Sequence, residues 1–347
     1  MDRPRIDLVL PHLRCPVCGE RLTRAERAVG CRAGHRYDLA RQGYLTLLGG
    51  RAPAGPGDTA DMVAAREAFL ERGHYRPIAT ALAEAVSQVQ ALHPTGEVAP
   101  QTDSPGEGKP RADSPGEGKP RTDLTGEVPR ADPPGEGAPR ADSTGAAPPP
   151  DRRPAPDSPP VVLDLAGGTG HYLAAVLDAH PTAVGLNMEL SPYAARRSAR
   201  AHPRLAAVRA DVWQPLPVAT GSCAVVLSVF GPRNPAEIVR VLGPGGRLVV
   251  VAPAPDHLGE IVEPLGMLEV APDKAERLSR QLAGFVVAQE ERLRFRADLT
   301  PQDVRHVVLM GPTAHHVDRA ELDRRLAAFP EGTPATIAVT VTTYGVA

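Results

Sequence analysis

The N-terminal part of the chain carries three cysteines and a histidine at spacings that suit metal binding. Residues 15–35 read CPVCGERLTRAERAVGCRAGH, with a Cys-x2-Cys pair, twelve intervening residues and a Cys-x3-His pair. Two such pairs are how a short chain assembles a tetrahedral zinc site, and four protein ligands leave no open position for catalysis. The spacing therefore predicts a structural zinc ion held by Cys15, Cys18, Cys31 and His35.

Two other interpretations of these cysteines stay open. A redox pair would need a preceding strand and a following helix, whereas Pro16 and Gly19 indicate a turn, and the second ligand pair would be unexplained. A segment without metal is the other alternative. Gly19 and Gly34 stand beside ligands, where tight turns need a permissive backbone. The fourth cysteine, Cys223, lies in an apolar run and is predicted to be an inert core residue.

A second stretch with chemical potential is a glycine-rich turn between two patterned segments. Residues 161–180, VVLDLAGGTGHYLAAVLDAH, form an apolar run, a turn and a helical pattern, as in a nucleotide-binding βαβ unit. Gly167, Gly168 and Gly170 would let the backbone approach a ligand closely, and Asp164 precedes them. This turn has no P-loop lysine, which favours a methyl donor over a nucleoside triphosphate.

Further strands and polar residues follow the glycine turn in a regular order. TAVGLNMEL (182–190) ends near Glu189, which could bind both hydroxyls of a ribose, and Asp211 follows a third strand at VRA. CAVVLSVFG (223–231) and LGPGGRLVVVAP (242–253) are the fourth and fifth strands. Because ligands bind at the carboxyl ends of strands in doubly wound sheets, these acidic residues predict an α/β fold with one ligand site.

The flanking regions are predicted to complete this sheet. A helix is expected over 78–92 and another over 272–285. The runs 287–299 and 335–346 are expected to pair as an antiparallel closing hairpin.

Composition limits the class of protein. The chain has 347 residues, a formal net charge of −2 and 42% hydrophobic residues, so no global basic field indicates nucleic-acid binding. Neither a signal peptide nor an 18-residue apolar run is evident, which predicts a cytoplasmic protein without disulfides or membrane contact. Decapeptide repeats such as SPGEGKPRAD (104–113) are nearly free of apolar side chains, which predicts a disordered surface loop over 95–160, with a charged interaction segment as the alternative.

The order of these motifs resembles the class I S-adenosylmethionine-dependent methyltransferases, with a Rossmann-like sheet. Three pieces more narrowly resemble the bacterial rRNA (guanine-N1-)-methyltransferases, which include tylosin-resistance enzymes. They are CPVCGERL…CRAGHRYDLARQGYLTLL (15–48), GDTADMVAAREAFLERGHYRPI (57–78) and VFGPRNPAEIVRVLGPGGRLVVVAPAPDHLGEI (229–261). The resemblance spans both ends of the chain apart from the 95–160 insert.

The resemblance implies methyl transfer from S-adenosylmethionine to N1 of a guanine in a 23S rRNA hairpin near the peptide exit tunnel, and with it macrolide resistance. It also implies a structural zinc ion and 23S rRNA as the partner; a homodimer is a separate expectation for the assembly. Four segments would share the work: a zinc-binding RNA-recognition domain (1–50), a helical connector that contributes to the cofactor pocket (51–94), the insert (95–160) and the methyltransferase domain (161–347).

The resemblance also assigns roles to individual residues. Phe230 would stack on the guanine, and Arg233 would polarise its O6 and lower the pKa of N1; the alternative is that this loop only packs on the cofactor. Met310 and Pro312 would form a pocket wall near the base. His74 would lie in the cofactor pocket or serve as a structural histidine. The cofactor-binding residues would be Tyr75, Asp164, Gly167, Gly168, Gly170, His171, Asn187, Glu189, Asp211 and Val212.

Basic residues around the metal ligands could present the zinc domain to RNA. Tyr37 could stack on a base, and the arginines are either phosphate contacts or merely solvated. They are Arg14, Arg21, Arg24, Arg27, Arg32, Arg36 and Arg41.

Two functions of other classes remain open at this point. A zinc-containing RNA-binding protein without activity would not bind the methyl donor. A small-molecule methyltransferase would have no need of a structural zinc site, and the predicted zinc ligands argue against this class.

Overall fold

The computed structural model of the chain describes residues 4–50, 53, 55, 57–92, 158–267, 271 and 273–347. Apart from residues 158–160, the predicted 95–160 insert lies outside the described residues. The strands are β1 (Thr23–Ala25), β2 (Ala28–Gly30), β3 (Arg36–Asp38), β4 (Leu45–Thr46), β5 (Val161–Leu165), β6 (Val184–Glu189), β7 (Leu205–Arg209), β8 (Cys223–Val229), β9 (Leu242–Pro253), β10 (Phe285–Leu299) and β11 (Thr333–Val346).

Helices connect and cover these strands. The α-helices are α1 (Ala60–Glu71), α2 (Arg76–Ser87), α3 (His171–Ala179), α4 (Pro192–Ala201), α5 (Pro235–Val241), α6 (Gly259–Leu265), α7 (Lys274–Gln281), α8 (Pro301–Met310) and α9 (Arg319–Leu326). Short 3-10 helices span Arg5–Leu8, Leu10–His12, Gln90–Leu92 and Pro312–His315.

The main sheet has eight strands in the order β10-β11-β9-β8-β5-β6-β7-β4. Strands β9, β8, β5, β6, β7 and β4 pair in parallel, and β11 runs antiparallel between β9 and β10. The chain leaves β5 in one direction to form β6 and β7, then crosses to the other side to form β8 and β9. This reversal places a ligand crevice at the carboxyl end of β5, and it confirms the predicted doubly wound, Rossmann-like sheet.

The two last strands pair as predicted but are not a hairpin. All of β10 pairs antiparallel with β11, from Phe285 opposite Val346 to Leu299 opposite Thr333. Helices α8 and α9 lie between the two strands in the sequence. The expectation of a closing hairpin was therefore wrong, because the connection contains the helix whose last residue, Met310, reaches the ligand crevice.

The predicted helices are shorter than expected. The helix expected over 78–92 is α2, which ends at Ser87 and is followed by one 3-10 turn. The helix expected over 272–285 is α7, and β10 already begins at Phe285.

The N-terminal segment is joined to the main sheet. The small antiparallel sheet β1-β2-β3 carries the predicted metal ligands. Beyond it, β4 adds to the edge of the main sheet, with Leu45 opposite Val208 of β7. The backbone N–H of Arg14 also donates to the backbone carbonyl of Pro217 at 2.9 Å. The zinc domain is thus anchored to the larger domain by backbone hydrogen bonds.

Alternating residues of the central strands feed two cores on opposite faces of the sheet. Val162 packs with α2, α3 and α8 on one face. Leu163 packs on the other face, in a cluster that includes Ile6 and Leu13 from the N-terminal segment. The N-terminal segment therefore supplies part of the hydrophobic cover of the sheet. Within the described ranges, no helix is both long and apolar enough to cross a membrane.

Candidate functional site

The four predicted metal ligands lie together in the small N-terminal sheet. One ligand atom from each of Cys15, Cys18, Cys31 and His35 lies within 4.8 Å of all the others. Cys18 Sγ and Cys31 Sγ are 3.6 Å apart, and Cys31 Sγ lies 3.3 Å from His35 Nδ1. A tetrahedral zinc ion with Zn–S near 2.3 Å and Zn–N near 2.0 Å places its ligand atoms roughly 3.3–3.8 Å apart. The cluster fits a structural zinc ion.

The residues around the ligands support the same geometry. Gly19 and Gly34 adopt φ of 73° and 88°, and each donates its N–H to the carbonyl of the first ligand of its pair, Cys15 or Cys31. These are the tight turns that the two glycines predicted. Tyr37 Oη lies 3.1 Å from Cys15 Sγ, so Tyr37 supports the ligand set. The contact involves the hydroxyl group and not the ring faces, so stacking of Tyr37 on a base stays a prediction.

The arginines of the zinc domain fall into two groups. Arg14 is buried, and its guanidinium donates to the carbonyls of Pro11 and Leu13; Arg24 is half-buried and lies 3.8 Å from Asp7. Those two side chains are committed to the fold. The exposed ones are Arg21, Arg27, Arg32, Arg36 and Arg41.

A cleft of about 390 Å³ opens at the carboxyl ends of β5, β6, β7 and β8. Eight predicted site residues line it: Tyr75, Gly167, Gly168, His171, Glu189, Asp211, Val212 and Phe230. The predicted wall residues Met310 and Pro312 line it as well. Asp164, Gly170, Asn187 and Arg233 do not line it.

Glu189 is the acidic group best placed for a ribose. Its carboxylate accepts the N–H of Gly168 at 3.0 Å and that of Ser191 at 2.9 Å, which fixes both oxygens at the cleft wall. Burial raises the pKa of Glu189, and the two backbone donors oppose that shift. A carboxylate retains further lone pairs for ligand hydroxyls. Glu189 therefore fits the ribose role that its place after β6 predicted.

Beneath the glycine turn lies a buried polar pair that does not reach the cleft surface. Asp164 and Asn187 are fully buried, and neither carboxylate oxygen of Asp164 has a hydrogen-bond partner among the described residues. Burial, with the nearby Glu189 charge, raises the pKa of Asp164 to about 8. A Cβ on Gly167 would collide with the side chains of both buried residues. Gly167 is therefore required for close packing, and the buried carboxyl underlies the loop that a methyl donor would contact.

The first turn of α3 faces the same cleft. Gly170 caps the helix with φ of 80°, and a Cβ there would crowd Ser198 and Leu205 behind the turn. Gly170 thus shapes the turn and does not line the cleft, and its predicted contact with the cofactor stays a prediction. His171 begins the helix and lines the cleft, and burial lowers the pKa of its imidazole. A helix N-terminus offers free N–H groups and positive potential to a carboxylate such as that of S-adenosylmethionine.

Two residues without glycine's freedom adopt left-handed backbone conformations at the cleft. Ala166 and Phe230 each have φ of 54°, directly after β5 and β8. Such strain in non-glycine residues persists where surrounding structure enforces it, and it concentrates at functional sites. The Phe230 N–H donates to the Val251 carbonyl at 3.0 Å, which holds the ring, 39% exposed, at the cleft. Phe230 is thus available for stacking.

An aromatic group that the sequence did not predict positions Tyr75. The Ala338 N–H donates to His257 Nδ1 at 3.2 Å, and burial lowers the pKa of His257 to about 4. The ring is neutral at pH 7, so its proton lies on Nε2, 3.0 Å from Tyr75 Oη. Tyr75 Oη accepts that hydrogen bond, and its own proton stays available for another acceptor. The Phe230 and Tyr75 ring centroids are 6.1 Å apart.

The cleft also uses residues that no motif marked. Arg66 of α1 pairs with Asp58, and it donates to the Met310 carbonyl at 2.7 Å. Trp213 is 52% exposed at the rim, with its N–H on Asp211 Oδ1 at 3.0 Å. No local sequence signal could identify the contact of Arg66 with Met310, because the two residues are 244 positions apart in the chain.

Two predicted residues have other surroundings. The Arg233 guanidinium donates to Ser228 Oγ and to the Gly231 carbonyl, each at 3.1 Å, and lines a separate cavity. A role of Arg233 on the substrate base would require these contacts to change. His74 lies 3.3 Å from Asp303, which fits the structural reading of that histidine. Cys223 is buried in β8 as predicted, and burial raises its pKa to about 12.

Known proteins resemble the chain over nearly its whole length. A zinc-ribbon family model described as "RlmA, N-terminal" matches residues 13–51. A Micromonospora griseorubida protein named "Putative 23S rRNA (guanine-N(1)-)-methyltransferase" is 42% identical over 341 residues, 97% of this chain and 98% of that protein. The 23S rRNA (guanine(748)-N(1))-methyltransferase of Streptomyces fradiae is 39% identical over 336 residues, 96% of each chain.

A comparison of folds gives a more distant likeness. A Bacillus halodurans C-125 structure described as a "putative methyltransferase" is 19% identical, with a TM-score of 0.37, and covers 53% of this chain and 91% of that one.

Proposed function

Since the chain belongs to the 23S rRNA (guanine-N1-)-methyltransferase family, we propose that it transfers a methyl group from S-adenosylmethionine to N1 of a guanine in 23S rRNA. The observation that carries this proposal is the pairing of a Cys3His zinc cluster with a cleft at the carboxyl ends of the central strands. A small-molecule enzyme would have no use for the former, and an inactive RNA-binding protein would have no use for the latter.

The residues of the cleft account for binding of the methyl donor. Glu189 would hold the ribose hydroxyls, the Gly167–Gly168 backbone would lie against the cofactor, and Asp211 and Val212 would border its base. The cofactor supplies an electrophilic methyl group, so the protein's task is mainly alignment of the reactants. The arrangement binds the donor at a fixed place and leaves the Phe230 side of the cleft for the acceptor.

The acceptor base must leave its stack to reach this cleft. Phe230 offers an exposed ring on a strained and therefore well-determined backbone, which suits stacking on a guanine. Tyr75 keeps a free hydroxyl proton beside that ring, because His257 occupies one lone pair of its oxygen. Donation from Tyr75 to guanine O6 would stabilise the negative charge that appears as N1 loses its proton.

The finer parts of the proposal concern RNA and assembly. The five exposed arginines of the zinc domain would contact the phosphates of a hairpin, with residues 1–50 as an RNA-recognition domain beside the methyltransferase domain. A ribosomal RNA substrate implies a cytoplasmic location. We also propose a homodimer, for which sedimentation velocity of the purified protein at two concentrations is the test.

The experiment compares 23S rRNA from a strain that lacks the gene with rRNA from the complemented strain. N1-methylguanine blocks Watson–Crick pairing, so primer extension should stop next to the modified base only in the complemented strain. Complementation with Glu189→Gln, which keeps the side-chain shape but weakens ribose binding, should remove the stop. Identical extension products from both strains would contradict the proposal.

Macrolide resistance is tested in the same strains. Methylation of a base near the peptide exit tunnel would hinder drug binding, so the minimal inhibitory concentration of a macrolide should fall when the gene is lost. An unchanged concentration, with the primer-extension stop lost, would separate methylation from resistance.

A further inference from the structure

A second cavity, of about 1070 Å³, lies on the other side of the loop that follows β8. Phe230, Gly231 and Pro232 of this loop line the cofactor cleft, whereas the next residue, Arg233, lines the second cavity. Helix α7 and strands β9, β10 and β11 form its remaining walls. We name it the basic cavity for its cationic side chains, which are Arg233, Lys274, Arg277, Arg280 and Arg292.

The cations of the basic cavity outnumber its anions. Glu290 is the carboxylate among its lining residues, and it pairs with Arg292 at 3.1 Å. Arg277 pairs with Asp273 at 3.3 Å. Within the described ranges, the side chains of Arg233, Lys274 and Arg280 have no ion-pair partner. Three positive charges therefore face the cavity without compensation.

Two of these charges are partly desolvated, and one of them, Arg233, is also held in place by hydrogen bonds. Burial lowers the pKa of Arg233, and burial together with Arg233 and Arg277 lowers that of Lys274. Arg233 is fixed by Ser228 Oγ and the Gly231 carbonyl, and Gln281 Nε2 donates to the Arg233 carbonyl at 3.1 Å. Neighbouring like charges that are partly desolvated and preorganised are stabilised when an anion binds between them.

We propose that the basic cavity binds the phosphate backbone of the RNA substrate next to the nucleotide whose base enters the cofactor cleft. The loop after β8 would then contact the RNA from both of its sides. Phe230 would face the base, and Arg233 would face a phosphate. Arginine, lysine and hydroxyl groups such as those of Thr340 and Thr342 are the usual partners of phosphate oxygens. This inference rests on the proposed function, and it assigns Arg233 to positioning of the RNA.

The test uses the full chain and two kinds of measurement. Lys274→Gln/Arg280→Gln removes two charges without an ion-pair partner among the described residues. Arg324→Gln/Arg325→Gln, on the exposed face of α9, removes the same number of charges and is the control. Fluorescence anisotropy with a labelled RNA hairpin should show at least tenfold weaker binding for the Lys274→Gln/Arg280→Gln variant near 0.15 M salt. Its plot of log affinity against log salt should also be shallower by about 1.4–1.8, since each phosphate contact contributes about 0.7–0.9.

Kinetics with 23S rRNA then separate positioning from chemistry. The Lys274→Gln/Arg280→Gln variant should raise KM for RNA by a similar factor, with kcat and S-adenosylmethionine affinity within twofold of the wild type. Arg233→Gln should behave in the same way if it contacts phosphate. A fall in kcat at saturating RNA for Arg233→Gln alone would show that Arg233 acts on the guanine base and would overturn its assignment to a phosphate.

The outcomes distinguish this inference from the proposed function. Unchanged RNA affinity and salt slope in the Lys274→Gln/Arg280→Gln protein would overturn the inference, even if 23S rRNA is methylated normally. A wild-type protein that binds S-adenosylmethionine but methylates no 23S rRNA would overturn the function. In that case the anisotropy experiment still decides whether the basic cavity binds RNA.

Discussion

The zinc site and the cofactor cleft obtain their residues in opposite ways. All four zinc ligands come from 21 consecutive residues, and short turns bring them together. The cleft collects side chains from Gly57 to His315, and strand ends, two helices and the α8 terminus position them. The zinc site, built from one short segment, depends on its ion for stability. The cofactor cleft, built from distant segments, is held rigid by the main sheet. The difference predicts how each should respond to mutation.

Loss of two zinc ligands is expected to have the largest effect. Cys18→Ser/Cys31→Ser leaves two of the four ligands and should reduce the metal content from one zinc per chain to none. The loss should be strongly destabilising, because structural zinc contributes on the order of 10 kcal/mol to small domains. Since β4 and the N-terminal 3-10 helices share the core of the sheet, the melting temperature of the whole protein should fall. Metal analysis and calorimetry are the measurements.

The matched control for the zinc experiment is the fourth cysteine. Cys223→Ala removes a buried thiol that is not part of the Cys3His cluster and should keep one zinc per chain. Full zinc content in the double serine variant would show that the Cys3His cluster is not the metal site.

The buried acid beneath the glycine turn should make the stability of the cleft depend on pH. The pKa of Asp164 is about 8 in the folded protein and near 4 when unfolded. Between these values the folded state binds more protons than the unfolded state, so this carboxyl favours folding at low pH and loses that effect as pH rises to 8. Asp164→Asn, which cannot ionise, should flatten the dependence of unfolding free energy on pH by about 2–5 kcal/mol.

Urea unfolding of the protein without cofactor at several pH values between 4.5 and 8.5 measures this effect. Glu237→Gln is a useful comparison, since Arg240 lowers the pKa of that partly buried carboxylate. Parallel pH curves for the wild type and Asp164→Asn would show that Asp164 is not held in its neutral form.

A single methyl group in the glycine turn should damage the cleft without affecting the zinc site. Gly167→Ala places a Cβ against Asp164 and Asn187, and overpacking of this kind costs about 1–3 kcal/mol. Titration calorimetry should show ten- to a hundredfold weaker S-adenosylmethionine binding, with one zinc retained. Gly259→Ala, where a Cβ meets open space, should bind the cofactor normally. Equal affinities of the two variants would contradict the packing argument.

The same contrast explains what could be predicted from the sequence. Cysteine spacing identified the zinc ligands completely. Short apolar runs and the glycine-rich turn located the parallel strands and the acidic residues at their carboxyl ends. Arg66 and His257 could not be identified, because their roles depend on contacts with Met310 and Ala338 that only the fold creates. The sequence could not predict which cavity Arg233 lines, since Pro232 and Arg233 are neighbours in one loop but line different cavities.

The smallest predicted effect tests whether Tyr75 and His257 act as one unit. Their hydrogen bond joins the GHYRPI segment to the segment after β9, and replacing either partner already removes this contact. Tyr75→Phe and His257→Phe should each lower the unfolding free energy, and the double variant should lower it by less than the sum. A coupling energy of about 0.5–1.5 kcal/mol is expected for one hydrogen bond. Additive losses would mean that the pair does not cooperate. We also expect kcat to fall more for Tyr75→Phe than for His257→Phe, with cofactor affinity unchanged. This result would indicate that the Tyr75 hydroxyl acts on the substrate and that His257 only orients it.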